Sequence, residues 1–195
     1  MSRGLIVVDV QNDFCEGGSV PVSGGARIAT AIAGLVDRRA DHDYAYVVAT
    51  RDHHIDPGGH FSEHPDFQES FPVHCVAGQA GGEFHPNLAP ALPKIDAVFF
   101  KGAHSASKSG FEGADDRGTS LAEWLRARGV DEVDVVGIAT DHCVRATALD
   151  AVAAGFGARV LLDYAVGVAA HTSAAAVDDF HQAGVTVTGA LPVPE

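Results

Sequence analysis

Basic residues are scarce in this 195-residue sequence: 13 Lys and Arg stand against 26 Asp and Glu, a formal charge of −13 with His neutral. That deficit argues against DNA or RNA as a partner, because phosphate binding needs a basic stripe and the sequence has none. Lysine is confined to Lys94, Lys101 and Lys108, so each of them calls for a reason. Cysteine is sparse too. Cys15, Cys75 and Cys143 are odd in number and far apart, with no CxxC. A disulfide framework or a Cys-rich zinc site is therefore not expected, and a reducing cytoplasm is. Long apolar runs are also missing. The N-terminal run Leu5–Val8 is too short for a signal peptide or a bilayer span, so no membrane association is expected.

What is present belongs to a globular chain: 46% hydrophobic and 20% charged residues, enough apolar matter to exclude disorder as the main state. The length fits a single domain over residues 1–195, which can bury roughly 70% of its unfolded surface. Six β-rich apolar runs read as short buried strands: Leu5–Val10, Tyr44–Thr50, Ala97–Lys101, Val133–Ile138, Arg159–Asp163 and Val185–Thr188. Between them Ala26–Arg39, Ser120–Arg128, Cys143–Ala154 and Thr172–Ala183 carry helical spacing, with Gly near their ends. The alternation predicts an α/β fold of three layers, a six-stranded parallel sheet covered by helices on both faces. In such sheets ligands bind beyond the carboxyl ends of the strands, so the polar residues after each strand are the place to look.

One stretch breaks the rhythm. Residues 51–96 hold no convincing helix, but they contain His53, His54, His60, His64, His74 and His85, six of the chain's 11 His. An excursion of this length in a compact domain is usually functional or mobile.

Four features can carry chemistry. Asp9 ends the first strand, where burial would raise its pKa; it reads as a general acid or base, or as a cap on the turn with Gln11, Asn12 and Asp13. Lys101 ends the third strand, and lysine is almost never buried without a partner; it reads as a catalytic or charge-pairing group, or as a side chain reaching to water. Cys143 follows Thr140-Asp141-His142 at a strand-to-helix junction, where a helix N-terminus favours a thiolate. That effect, roughly 0.3–1 kcal/mol, lowers a thiol pKa by less than about one unit. A nucleophilic Cys143 would thus still need a base, from Asp9 or His142; the other reading is a buried structural cysteine. Last, Asp52 and His54 share one side of an extended segment while His53 points away. With His60 and His74 they would suit Zn, Fe or Mn, unless the histidines merely face solvent.

A fifth feature misleads. Gly102 to Ser109 nearly matches the phosphate-cradling GxxxxGK[ST] loop, but Ser107 stands where the second Gly must be and no helix follows.

The stretches Val7-Val8-Asp9-Val10-Gln11-Asn12-Asp13-Phe14, Asp52-x-His54-x5-His60-Phe61, Pro72-Val73-His74-Cys75, Phe100-Lys101-Gly102 and Gly137-Ile138-Ala139-Thr140-Asp141-His142-Cys143-Val144 together resemble the nicotinamidase/pyrazinamidase family of isochorismatase-like cysteine hydrolases. The similarity runs in order from the first strand to near the C-terminus. The resemblance implies a Rossmann-like, isochorismatase-like hydrolase fold and a catalytic triad of Asp9, Lys101 and Cys143. It also implies one divalent transition metal on Asp52, His54, His60 and His74, separate from the triad but in the same pocket. A cis peptide would fall between Ile138 and Ala139, with the Ala139 and Cys143 N–H groups as oxyanion hole. Phe14, Phe71 and His142 would line the substrate, Phe71 standing where a Trp is common and Lys108 where a Tyr is often found. The implied activity is conversion of nicotinamide to nicotinate and ammonia through a Cys thioester, in pyridine nucleotide salvage, with pyrazinamide as a further substrate. Two alternatives stand beside it: a related cysteine hydrolase acting on a carbamoyl or ureido substrate, and a metal-binding protein without catalysis.

Overall fold

In the first strand, β1 (Ser2–Val8), Leu5 and Val7 enter one apolar cluster while Ile6 and Val8 enter another, and all four are fully buried. A strand apolar on both faces must be covered on both. The computed structural model, which describes residues 2–191, meets that demand with three layers. Five further strands complete the sheet: β2 (Tyr44–Asp52), β3 (Ala97–Lys101), β4 (Val130–Ile138), β5 (Gly157–Val166) and β6 (Thr186–Thr188). Every neighbouring pair is parallel, in the order β3-β2-β1-β4-β5-β6.

Helix α1 (Gly25–Asp37) covers one face through Ile28, Ile32, Leu35 and Val36. On the other lie α2 (Leu121–Arg126), α3 (Arg145–Ala153) and α4 (Ala170–Ala183), which contribute Trp124, Ala148 and Phe180. Ser120 caps α2 in a reciprocal capping box with Glu123. No helix among the described residues is long and apolar enough to cross a membrane.

Several boundaries differ from the sequence reading. β1 stops at Val8, because Asp9 turns out of the strand with φ 48°. β2 runs on through Asp52, which makes Arg51 and Asp52 strand residues. Cys143 lies within the first turn of the helix after β4 and does not itself start it. That turn, Thr140–Val144, is of π type, and the α-helical part, α3, begins only at Arg145. The excursion at 51–96 is also more ordered than a loop. Its last part, Pro86–Lys94, is a 3-10 segment that buries Leu88 and Ala91 against α1. Pro90 and Pro93 lie inside it, and each removes a backbone donor, which is why no α-helical signal is present there.

The chain winds outward in one direction from β1 through β2 and β3, and in the other from β4 through β5 and β6. The crevice where the winding reverses lies between the carboxyl ends of β1 and β4. Asp9 follows the first of these strands and Ala139 the second.

Candidate active site

Three strand ends deliver the charged centre. Lys101, the last residue of β3, is buried, and its Nζ lies 2.8 Å from Asp9 Oδ2. The same ammonium contacts Asp52 Oδ1 at the end of β2 and stands 3.8 Å from Cys143 Sγ. Parallel pairing sets this up, since Asp52 and Lys101 are register partners. Thr50, earlier on β2, donates its hydroxyl to Asp9 Oδ1 at 2.6 Å, a contact with no signal in the sequence. Single ligating atoms of Asp9, Asp52 and Cys143 fall within 4.8 Å of one another.

The electrostatics follow from burial. Desolvation pushes the Asp9 carboxyl above its ordinary range, and the Lys101 charge only partly offsets it. Burial also acts on Asp52, but there Lys101 and His54 prevail and hold the carboxylate well below that range. Burial works against the charge on Lys101, yet Asp52 and Asp9 outweigh it and keep the ammonium protonated. The Cys143 thiol is pushed well up by burial, against the pull of Lys101. The turn geometry therefore does not make a free thiolate. It makes a thiol that needs a base, more so than position along the chain suggests.

Asp9 and Cys143 resist negative charge for the same reason, so a proton moved from Sγ to Asp9 shifts one charge within the pair without adding another. His142 is turned elsewhere. Its ring stacks edge-on to Phe71 with centroids 5.9 Å apart, and burial lowers its pKa.

A second cluster adjoins the first. His54, His60 and His74 are all buried, and one nitrogen of each lies within 4.8 Å of the others. Each Nδ1 faces a backbone carbonyl: Gly102 at 2.6 Å, Glu69 at 2.8 Å and Pro72 at 2.7 Å. A carbonyl can only accept, so Nδ1 carries the hydrogen and the lone pair is left on Nε2. His54 Nε2 has no hydrogen-bond partner, and it lies 3.7 Å from Asp52 Oδ2, with His74 Nε2 4.0 Å away from the same oxygen. Burial lowers the pKa of His60 and His74, which favours the neutral, ligating form. Three imidazoles with fixed tautomers and one carboxylate fit a divalent transition metal. Asp52 faces both the imidazoles and Lys101, so the two groups adjoin in one pocket, while Asp9, Lys101 and Cys143 share no residue with the proposed ligand set.

The surroundings lock these groups. Gln11 donates its Nε2 to the Asp52 carbonyl (2.9 Å) and accepts the Asp52 N–H (2.9 Å). Asp13 Oδ2 accepts the N–H of Cys75 at 2.7 Å, and the Cys75 carbonyl accepts the His54 N–H at 3.0 Å. Gly102 has φ 74°, and a Cβ there would lie 2.7 Å from His54 Cε1. Only glycine serves that position without displacing the ring.

The peptide between Ile138 and Ala139 is cis. The Ala139 carbonyl accepts the N–H groups of His142 (3.0 Å) and Val144 (3.1 Å), which flank Cys143. Cys143, Ala139, Asp52, His60 and His74 border one cavity with Phe14, Phe71, His142 and Lys108; Ser107, Val20, Val22 and Val168 complete its wall without having stood out as site residues. It measures about 50 Å³, several times the roughly 10–15 Å³ one water takes on that measure, which is room for a small ring. The near match to a phosphate loop opens no helix: Gly110–Glu112 is a short 3-10 turn.

Residues 3–190 match the isochorismatase domain. The chain is 58% identical to the nicotinamidase/pyrazinamidase of Mycobacterium tuberculosis, over 94% of this chain and 96% of that one. It is similar to the crystal structure of the pyrazinamidase of Pyrococcus horikoshii in complex with zinc, with a TM-score of 0.79 and 34% identity over 96% and 99% of the two chains. The structure of PnC1 from L. infantum in complex with nicotinate gives a TM-score of 0.83 and 34% identity over 96% and 92%.

Proposed function

Because the chain belongs to the isochorismatase family, we propose that it is a metal-containing cysteine amidohydrolase that converts nicotinamide to nicotinate and ammonia, and also accepts pyrazinamide. One observation carries the reading: the Lys101 ammonium stands between Asp9 and Asp52, with the Cys143 sulfur 3.8 Å away. The relatives named for nicotinamide or pyrazinamide hydrolysis, and the nicotinate and zinc in the similar structures, support the substrate class and a resident metal.

In the proposed mechanism Asp9 accepts the Cys143 proton, and Lys101 holds Asp9 in place and offsets its charge. Sulfur attacks the carboxamide carbon, and the N–H groups of Ala139 and Cys143 receive the oxyanion. The carbon–nitrogen bond breaks as Asp9 returns the proton to nitrogen, so ammonia leaves and a thioester remains. Asp9 then takes a proton from water as its oxygen attacks the thioester carbon, and the released thiolate is reprotonated as nicotinate departs. Phe14 and Phe71 flank the ring, and His142 closes one side of the pocket. A divalent ion (Zn, Fe or Mn) on Asp52, His54, His60 and His74 would supply a Lewis-acid anchor for the ring nitrogen. We place the reaction in cytoplasmic salvage of the pyridine ring.

Ammonia release from nicotinamide, measured with the metal content of the purified protein, tests the proposal. Stoichiometric metal and nicotinate formation are expected. A protein inert on nicotinamide but active on a carbamoyl or ureido compound would overturn it.

A further inference from the structure

Among the described residues, four buried side-chain atoms find no hydrogen-bond partner: Asp9 Oδ2, His54 Nε2, Thr140 Oγ1 and Ser107 Oγ. The first faces Lys101 as an ion pair, and the second belongs to the metal cluster. Thr140 does not border the cavity, whereas Ser107 does. A buried hydroxyl without a partner is costly, and such groups are uncommon in folded proteins unless a ligand or water completes them.

Apart from His142, the other polar side chains around the cavity have partners or a role of their own. His60 and His74 belong to the imidazole cluster, Asp52 faces it and pairs with Lys101, and Cys143 is the proposed nucleophile. Lys108 reaches away to donate to the Gln68 carbonyl at 2.8 Å and pairs with Glu69 at 3.5 Å. His142 is only partly buried and packs on Phe71. Ser107, at 5% exposure, is the buried polar residue of the cavity wall whose side chain is unspent. The remaining wall is apolar, from Phe14, Val20, Val22, Phe71 and Val168.

We propose that the Ser107 hydroxyl hydrogen-bonds the bound substrate and acts as a specificity-determining residue, favouring a heteroaromatic carboxamide that offers it a polar atom. The inference rests on the nicotinamidase reading of the same site. Its signature is a divergence of two properties. Replacing Ser107 by alanine removes a group that costs the free protein something and gives the complex a bond, so binding should weaken while the fold does not.

Nicotinamide binding by calorimetry would be compared between Cys143→Ala and Cys143→Ala/Ser107→Ala, and KM and kcat between the parent and Ser107→Ala, all with metal loaded. Kd and KM should rise five- to twentyfold, kcat should stay within twofold, and Tm should be unchanged or higher. Ser107→Cys, close in size but a weak hydrogen-bonding group, should behave like Ser107→Ala. Kd and KM within twofold of the parent would overturn the proposal. So would a cysteine variant that binds like serine, since shape would then be what matters. Failure of the parent to release ammonia from nicotinamide would overturn the underlying reading and this one together, whereas normal parent turnover with unaltered Ser107→Ala binding overturns this one alone.

Discussion

The buried Lys101 ammonium contacts Asp52 Oδ1, one oxygen of the same carboxylate whose Oδ2 lies 3.7 Å from His54 Nε2. One side chain thus pairs with the lysine and faces the imidazole cluster proposed to hold the metal. Asp52→Asn should therefore do two kinds of damage where His54→Ala does one. Both variants should lose metal by elemental analysis. Metal-free Asp52→Asn should turn over nicotinamide at least tenfold more slowly than metal-free parent, because Lys101 is then left to Asp9 alone. Equal rates for those two metal-free proteins would show that Asp52 serves the ion and nothing else.

Cys143 and Asp9 should behave as a unit. Cys143→Ala should abolish turnover with the fold and bound metal intact, while Cys15→Ala keeps most of the activity. Asp9→Asn should cost nearly as much, and the double variant little more. Retention of over a tenth of parental kcat by Asp9→Asn would limit the barrier change to about 1.4 kcal/mol, too little for the base.

The acid limb of kcat/KM should belong to Asp9. The group accepts a proton only when ionised, so activity is full above its folded pKa and is lost as pH falls through it. Burial raises that pKa, which puts the midpoint above the ordinary aspartate value near 3.9. His142→Asn should keep the limb, since the His142 ring packs on Phe71 whereas Asp9 is the carboxylate paired with the lysine beside the Cys143 sulfur. A limb that disappears in His142→Asn would transfer the base to the histidine.

Substrate discrimination should depend on the metal. Benzamide keeps the carboxamide but has no ring nitrogen, so the ratio of kcat/KM for nicotinamide over benzamide should be large in the loaded enzyme and fall at least tenfold on metal removal. Circular dichroism and proteolysis would check that the 51–96 segment stays folded. An unchanged ratio would leave the ion a structural role only.

Gly102→Ala offers a substitution outside the ligand set. A Cβ there would press on His54 at 2.7 Å, in a backbone conformation that alanine disfavours. Metal affinity, followed by chelator competition, should drop by about 10- to 100-fold, the range seen when groups that orient a ligand are lost. Parental affinity would mean that the Gly102 carbonyl does not fix the ring.

Much of the molecule is determined by sequence alone. Short, β-rich apolar runs such as Leu5–Val8 read as strands buried on both faces, and their alternation with helical spacing points to a parallel three-layer α/β sheet. Residue chemistry points to Lys101, because lysine is scarce and ends an apolar strand, and to the His-rich excursion, because imidazoles rarely gather without cause. Which of these groups meet is settled by packing across the sheet. Strand order brings Asp9, Asp52 and Lys101 to one crevice, and no local pattern encodes which strands are neighbours. Burial of Cys143 reverses the expectation from its turn, because desolvation depends on everything packed around the sulfur and the helix-end effect on one element. The contacts of Thr50 and Asp13, and the lack of one at Ser107, were not legible in the sequence for the same reason. Their significance lies in a partner gained or missing across the fold, and a side chain's partners are a property of the packed chain.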